Sequence, residues 1–336
     1  MKNTVEPRAW FPDHQWSANS ANLVDQAFFD FDQQAERLVG HDQEYMQLSD
    51  GRFHGRFVSC FLGPETALHF EFANQALAQS IAASRDSYSF GVVLSAPEPF
   101  RANGVDIDMG AIFAIPPNAA FELYSPQNAA VLAIVIDKER LARRLAPAPH
   151  LRDWIGGLDQ EIGFLRAPAI AERLRRDALS AVVNSCTVGD HGPEPTWLAD
   201  ALIDSLVAGL ILEWGGIEAI MTGSSRNFTR FLEFRHGLDL SQETEASVQS
   251  LATRLRVSKR SIQYAFSREL SLGVSSYVLR SRLHRVRRSL LRPEDQAGSI
   301  GDMAAEHGFW NWSHFSKQYR QLFGERPSDT RRRSVN

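Results

Sequence analysis

Two short clusters of polar and aromatic residues near the C-terminus have side chains that could read nucleic-acid bases. Arg260 carries a planar donor fork that can bind guanine O6 and N7, and Gln263 can pair with adenine N6 and N7. Each such pair discriminates against a wrong base by roughly 1 to 3 kcal/mol. The predicted base-reading residues are Arg260, Gln263, Tyr264, Trp312, Ser313, His314 and Lys317.

The elements that must position these residues are predicted by a repeat within 247–323. Corresponding residues lie 52 apart in the first three pairs and 53 apart in the last two: Leu251 with Met303, Ala252 with Ala304, Val257 with Phe309, Ile262 with Phe315, and Phe266 with Tyr319. A helix with a small alanine, a short turn and a second amphipathic helix form a helix-turn-helix. The second helix of each copy could then enter a DNA major groove.

The second helix of each copy has one apolar face. Its predicted buried positions recur every four residues: Ile262, Phe266, Leu270, Phe315, Tyr319 and Phe323. Gly308 stands where a residue with positive φ would end a helix, and Phe309 behind it is expected in the core. Ser258, before the other helix, is expected to cap it and to contact a phosphate.

Charge is distributed unevenly along the chain. Residues 225–336 carry 20 lysines and arginines against 11 carboxylates, a formal charge of +9, whereas residues 1–224 carry 16 against 29, a charge of −13. A basic C-terminal third beside an acidic body indicates a polyanionic partner for that third, although a solvated basic surface would have the same composition.

A connecting helix is predicted over Val274–Arg292, with six arginines, about half of them expected to be merely solvated. If this helix is rigid, the two recognition helices should enter successive major grooves about 34 Å apart. Phosphate contacts would make binding steeply dependent on salt. The predicted contacts to the DNA backbone are Ser258, Lys259, Arg282, Arg285 and Ser316.

Residues 225–333 resemble the AraC/XylS family of bacterial transcription regulators. The second copy has most of the resemblance, through Ile300, Asp302, Met303, Ala304, Gly308, Phe309, Ser313, Phe315, Tyr319, Phe323, Gly324, Pro327 and Ser328. Gly308-Phe309-Trp310 and the string 257–266 look closest to the ethanolamine-regulator branch. Thr330 departs from the pattern, since the family usually has tyrosine there, and this leaves the packing of the final helix in question.

The N-terminal part has a β pattern followed by a helical one. Six runs alternate or are continuously apolar between turn signals, which predicts a barrel or sandwich over 56–62, 67–72, 87–94, 110–115, 120–124 and 131–136. Helices are predicted over 138–145, 169–186 and 197–214, and the leucine stripe of the last one could pack internally or join a homodimer. The resemblance implies a cupin-like barrel with an effector pocket and dimerisation helices.

The expected fold class is therefore α+β. It comprises a cupin-like β-barrel sensor domain over 1–145, a helical dimerisation segment over 146–224 and an all-α domain with two helix-turn-helix units over 225–336. Phe57, Phe70, Phe72, Phe90 and Phe113 could line a hydrophobic pocket, although inward aromatic residues more often fill a core.

Metal-dependent catalysis is not favoured by the residues available for it. A cupin metal centre needs clustered ligands, but His54 and His69 are isolated, Glu71 is near only the second, and no His-x-His occurs. We therefore expect no catalytic residue, no metal and no cofactor. Cys60 and Cys186 form no CxxC motif and are expected to be buried thiols, and no run of 18 apolar residues or export signal is found.

These features predict a cytoplasmic regulator in a bacterium, associated with the nucleoid when bound. Its expected partners are double-stranded promoter DNA, RNA polymerase, a second copy of the chain and a small-molecule effector, with no membrane contact. Two alternatives stay open: a ligand-independent regulator controlled by a partner protein, and a cupin-type metal enzyme fused to a DNA-binding domain.

Overall fold

The computed structural model describes residues 22–38, 40–158, 160–187, 196–213, 218–222, 226–239, 244–292 and 298–333. The chain divides into two compact units. Unit 1 comprises Met1–Tyr45, His54–Asn74 and Gln79–Gly223, and unit 2 comprises Met46–Phe53, Gln75–Ala78 and Ser224–Asn336. The boundary predicted at 224–225 lies outside the described residues.

The strands follow one another through the first half of the chain, and two more lie among the later helices. They are β1 Leu23–Phe28, β2 Asp42–Gln47, β3 Gly55–Phe61, β4 Thr66–Ala73, β5 Leu77–Ala82, β6 Ser87–Ser95, β7 Phe100–Ala102, β8 Val105–Ile107, β9 Ala111–Ile115, β10 Ala120–Ser125, β11 Ala129–Asp137, β12 Gly163–Arg166 and β13 Glu218–Thr222.

The strands of the described residues form two open sheets. One has the order β1-β3-β4-β11-β6-β9-β12-β13 and the other the order β2-β5-β10-β7-β8. The predicted closed barrel is therefore wrong, because closure requires the two outer strands of a sheet to pair and here they do not. The six predicted runs correspond to β3, β4, β6, β9, β10 and β11, and the other seven strands were not predicted: β1, β2, β5, β7, β8, β12 and β13.

The core of unit 1 lies against the larger sheet. β4 pairs antiparallel with β11, so that Leu68 faces Ile134 and Phe70 faces Leu132 across the strands. Phe70 and Phe90 belong to one apolar cluster and Phe113 to another. Phe113 also occupies the space that a side chain at position 91 would need, since a Cβ there would lie 1.8 Å from its ring. These aromatic residues fill the core, as inward-facing rings commonly do.

The helices of unit 1 pack on these strands. They are α1 Phe31–Ala35, α2 Lys138–Leu145, α3 Pro149–Gly156, α4 Pro168–Thr187 and α5 Thr196–Glu213. Asp137 caps α2 by accepting hydrogen bonds from the backbone N–H groups of Glu139 and Arg140. Helix α3, which was not predicted, begins at Pro149, because proline suits the first turn of a helix.

The leucine stripe of α5 is buried within its own chain. Leu198, Leu202, Leu206 and Leu210 are between 1% and 5% exposed and belong to the core of unit 1. The internal alternative for this stripe is thus confirmed. A different set of apolar side chains on α4 and α5 remains exposed: Val183, Trp197, Ile211 and Leu212.

Unit 2 contains the basic C-terminal helices. They are α6 Arg226–Asp239, α7 Thr244–Arg254, α8 Lys259–Leu270, α9 Val274–Leu291, α10 Ile300–Glu306, α11 Trp312–Phe323 and α12 Pro327–Arg333. The predicted connecting helix is α9, and it contacts α7, α8, α10 and α12. Because α9 contacts both copies of the repeat, it fixes the two helix pairs within one body.

Candidate nucleic-acid interface

Helices α7 and α8 form the first helix-turn-helix. Ser258 begins α8 as its N-cap, and its Oγ accepts a hydrogen bond from Ser261 N at 3.1 Å. Ile262 and Phe266 are fully buried. The Phe266 ring packs between Phe231 of α6, at 5.1 Å between ring centroids, and Tyr277 of α9, at 4.8 Å. The cap and the buried face predicted for α8 are confirmed.

The opposite face of α8 presents the residues predicted to read bases. Lys259, Arg260, Gln263 and Tyr264 are exposed, and 60% of the Tyr264 surface is open to solvent. Gln263 also makes local contacts, since its Oε1 accepts a hydrogen bond from Val274 N at 3.4 Å. That bond is long and therefore weak, so a base edge could displace it at little cost.

Helices α10 and α11 form the second helix-turn-helix. Ser299 caps α10 and Asn311 caps α11, each through a side-chain oxygen that accepts a backbone N–H. Between them Gly308 has φ +82°, as expected for a residue that ends a helix with positive φ. Phe309 behind it is only half-buried, with its ring 5.0 Å from that of Phe315.

The buried face of α11 is a continuous stack of rings. Phe315 and Tyr319 are fully buried and Phe323 is 4% exposed. Their centroids are 5.7 Å and 4.6 Å apart along the helix. Offset and edge-on aromatic pairs at such distances add stability beyond the burial of area. The four-residue spacing therefore predicted the inner face of α11 correctly.

The outer face of α11 lines a basic cleft. Trp312 is 51% exposed, and Ser313, His314 and Lys317 are also exposed. The cleft has a volume of about 800 Å³ and is lined by Trp312, Ser313, Ser316, Lys317, Arg320, Gln321 and Arg326. Arg320 and Arg326 were not predicted as site residues. Arg320 follows Ser316 by four residues on α11, so helical spacing could have indicated it, whereas Arg326 lies beyond the end of this helix. Trp310, in the turn before α11, is 85% exposed.

Of the six arginines predicted on α9, two are buried, three are partly exposed and Arg292 is exposed. Arg282 is 7% exposed and lies 3.3 Å from the position that a Cβ at Gly308 would take. Arg287 is 2% exposed, and its guanidinium lies 5.6 Å from the centroid of the Phe323 ring. Arg285 donates a hydrogen bond to Asp239 O at 3.2 Å. The prediction of Arg282 as a phosphate contact is corrected, since its side chain is packed inside unit 2.

Thr330, which departs from the family pattern, packs the final helix α12 against α11. It is fully buried, and its hydroxyl lies 2.8 Å from the Tyr319 hydroxyl and 2.6 Å from Glu325 Oε1. Burial raises the pKa of Tyr319, so its hydroxyl stays protonated. A polar pair thus joins α12 to α11 at the position where the family has a tyrosine.

His69 and Glu71, two of the residues considered as metal ligands, have hydrogen-bond partners within unit 1. His69 Nδ1 lies 3.0 Å from Ser59 Oγ, and burial lowers the pKa of His69 to about 4. Glu71 accepts hydrogen bonds from Gln34 and Tyr45, and burial raises its pKa. No group of three or more potential metal ligands occurs among the described residues. Cys60 is buried, and the side chain of Cys186 lies outside the described residues.

None of the described helices combines the length and the apolar character that a membrane-spanning helix requires.

The C-terminal domain contains two helix-turn-helix pairs, each with a buried inner face and a polar, basic outer face. Residues 251–333 match the protein family described as "Helix-turn-helix domain". The matched range contains both helix pairs, α9 between them and α12.

Part of the chain is also similar to two curated transcriptional activators. The chain is 28% identical over 131 residues to "XylDLEGF operon transcriptional activator 1" of Pseudomonas putida, covering 38% of this chain and 39% of that protein. It is 41% identical over 86 residues to "Transcriptional activator RhrA" of Rhizobium meliloti (strain 1021), covering 26% and 27%. These matches support the resemblance to the AraC/XylS family, and each spans well under half of the relative.

The chain is also similar to a solved structure described as that of the AraC-like transcriptional activator CuxR. The similarity covers 83% of this chain and 98% of the other at 17% identity, with a TM-score of 0.41.

Proposed function

We propose that this protein is a sequence-specific DNA-binding transcription regulator, with α8 and α11 as its two recognition helices. One observation supports this above all: both helices bury an apolar face in unit 2 and expose the side chains whose chemistry matches base edges. The match of 251–333 to a helix-turn-helix domain agrees with it.

The two helices have different proposed roles. Arg260, Gln263 and Tyr264 of α8 read bases, while Ser258 and Lys259 contact phosphates at the start of that helix. On α11, Trp312, Ser313, His314 and Lys317 contact bases, and Trp312 favours a thymine methyl group. Ser316 and the cleft arginines Arg320 and Arg326 contact the backbone, which replaces the contact predicted for Arg282. Arg285 remains a proposed backbone contact.

Several finer assignments belong to the same proposal. The protein acts in the bacterial cytoplasm, activates transcription through RNA polymerase and responds to a small-molecule effector bound by its N-terminal part. Through residues 257–266 and Gly308-Phe309-Trp310, it belongs with the ethanolamine-regulator branch. It functions as a homodimer through the exposed apolar side chains of α4 and α5, among them Trp197 and Leu212. A lower mass of Leu212→Lys in solution than of the wild type would support this contact, and an unchanged mass would contradict it.

The function is tested by selecting duplexes from a random pool with the full chain. We expect one enriched sequence with two half-sites about one helical turn apart, bound with a steep salt dependence. On that duplex, Arg260→Ala should lose 5- to 150-fold in preference over a scrambled duplex, the equivalent of about 1 to 3 kcal/mol. Trp312→Ala should reduce the preference less.

The matched control is Arg268→Ala on α8, an exposed arginine that is not among the proposed contacts. Enrichment of no sequence, or equal loss of affinity for target and scrambled DNA in Arg260→Ala, would contradict the proposal.

A further inference from the structure

Unit 2 includes a short segment that lies far from its helices in the sequence. This segment, Met46–Phe53, connects β2 to β3, and we call it the capping segment. It contacts the C-terminal end of α11 and α9, and it also forms hydrogen bonds with Gln75 and Ala76. Neither the helix-turn-helix match, which begins at residue 251, nor the proposed base contacts involve it.

The capping segment satisfies backbone groups that α11 leaves without partners. The last four carbonyl groups of an α-helix accept no hydrogen bond from the backbone of the same helix. In α11 the Gln321 and Leu322 carbonyl oxygens accept hydrogen bonds from Gly51 N, at 3.0 and 3.1 Å. The Leu322 oxygen also accepts one from Gln47 Nε2 at 2.6 Å. Gln47 is fully buried, so this bond is shielded from water.

The same segment is held against α9. His284 of α9 is 2% exposed, and its Nε2 lies 3.0 Å from Gln47 O. The His284 ring packs edge-on against Phe323, with 5.1 Å between centroids. Asp50 bridges the two helices, since its carboxylate lies 3.0 Å from Arg280 Nη2 and accepts a hydrogen bond from Gln321 Nε2 at 2.7 Å.

The fit between the segment and α11 is close. Gly324 ends α11 with φ +68°, and a Cβ there would lie 2.6 Å from Arg52 N. The segment is itself braced, because Gln47 Nε2 also donates to the Ser49 and Gly51 carbonyl oxygens, at 2.8 and 2.7 Å. A braced segment with buried hydrogen bonds can fix the direction of the helix end that it contacts.

The contacts leave the N-terminal part of the outer face of α11 open and reach the cleft only at Gln321. They involve residues 321–324 at the end of the helix, while Trp312 near its start is 51% exposed. The segment therefore supports α11 without covering the residues proposed to read bases.

We propose that the capping segment positions the second recognition helix, with Gln47 and Asp50 as positioning residues that set the affinity of α11 for its DNA half-site. The DNA part of this inference rests on the proposed function, whereas the capping of α11 does not.

The first test needs no DNA. In Gln47→Glu a carboxylate of similar shape faces three carbonyl oxygens, so we expect it to release the segment. Hydrogen exchange of the full chain should then be at least tenfold faster in the last two turns of α11 and unchanged in α8 and β11. The matched control is Gln26→Glu, which adds the same charge at an exposed position of β1. Unchanged exchange in α11 would overturn the capping role.

The second test compares two duplexes: the selected one, and the same duplex with the α11 half-site scrambled. That half-site is the one whose scrambling removes the effect of Lys317→Ala. We expect Gln47→Glu to bind the intact duplex at least tenfold more weakly than the wild type and the scrambled one equally well. Equal losses on both duplexes would indicate general destabilisation and overturn the positioning role.

Asp50→Asn provides an independent variant if Gln47→Glu fails to fold, because Asp50 is partly exposed and the substitution keeps its shape. We expect a two- to fivefold loss restricted to the intact duplex, and no loss or a loss on both duplexes would contradict the proposal. If the wild type selects no sequence, the proposed function fails, while the exchange measurement still decides whether the segment caps α11.

Discussion

The two helix-turn-helix units share a pattern but obtain their support from different places. Helix α8 packs on its sequence neighbours α6 and α9, through Phe231 and Tyr277. Helix α11 packs through its own ring stack, the guanidinium of Arg287 beside Phe323, and a segment from the start of the chain. A repeat in sequence therefore does not imply that its copies respond equally to the rest of the protein.

The difference extends to how the helices end. Helix α8 ends at Ser271 with φ +52°, a conformation that costs a non-glycine residue some strain. Helix α11 ends at Gly324, which adopts the left-handed region freely, and its last carbonyl groups have partners in the capping segment. Helix α11 is thus fixed at both ends. We therefore expect perturbations elsewhere in the chain to reach the second helix-turn-helix more directly than the first.

The substitutions with the largest expected effect test whether the two helix-turn-helix pairs unfold separately. Phe266→Ala and Phe315→Ala each remove a fully buried ring, which should lower the free energy of unfolding by about 3 to 5 kcal/mol. Urea denaturation measures the loss. Hydrogen exchange should then locate the opening in α8 for the first variant and in α11 for the second. Equal opening of α8 and α11 in both variants would contradict the proposed difference, because the two helix-turn-helix pairs would then unfold as one cooperative body.

A smaller effect is expected only in the second unit. Thr330→Val leaves the buried Tyr319 hydroxyl without its partner, which should lower the free energy of unfolding by roughly 1 to 3 kcal/mol. Thr330→Ser keeps the hydroxyl and serves as the control. The double variant Tyr319→Phe with Thr330→Val should recover part of the loss. No recovery in thermal or urea denaturation would show that the hydrogen bond is not the cause.

The helix caps should affect both units alike. Ser258→Ala and Asn311→Ala each remove a side-chain acceptor for a backbone N–H, at 3.1 and 3.0 Å, and should cost about 1 kcal/mol each. Aspartate at either position keeps the cap and provides the control. If only one of the two alanine variants lost stability in urea denaturation, the difference between the two helix-turn-helix pairs would begin at the N-termini of the recognition helices.

The smallest effect is a dependence on pH that arises at α11. Burial is the main cause that lowers the pKa of His284 to about 3; the hydrogen bond to Gln47 O opposes this shift, and the nearby charges of Arg287, Arg288 and Arg280 contribute to it. Above pH 6.5 neither the folded nor the unfolded chain protonates this histidine. Below that pH the unfolded chain gains a proton that the folded chain does not, so the free energy of unfolding falls until about pH 3.

This His284 contribution should be a loss of roughly 0.8 kcal/mol at pH 6 relative to pH 8. His284→Gln removes the proton and keeps an N–H donor for Gln47 O, whereas buried His69 contributes equally to both proteins. Urea denaturation across this range should therefore show a shallower slope for the variant. Identical slopes would mean that His284 does not titrate differently on folding.

Local features could be predicted from the sequence because neighbouring residues determine them. The four-residue spacing of Phe315 and Tyr319 is a property of one helix, and Gly308 marks its turn without reference to the rest of the chain. The same holds for strands with clear alternation, such as β4. The Ser258 cap needs only the residues that follow it.

Features that depend on distant residues could not be predicted. A run of arginines in α9 indicates a solvated face, yet Arg282 and Arg287 are buried because α10, α11 and α12 pack around them. Sheet closure depends on which strands become edges, and the short strand β12 separates β9 from β13. Nothing local indicates that Gln47 contacts Leu322.

The separation between Gln47 and Leu322 has a consequence for biosynthesis. The two residues are 275 positions apart, so a ribosome adding 5 to 20 residues per second makes the carbonyl group roughly 15 to 55 s after the glutamine. The amide must stay available through that interval, and the last turn of α11 can acquire its cap only after Leu322 has been added. The second helix-turn-helix should therefore complete its packing long after its cap has been synthesised.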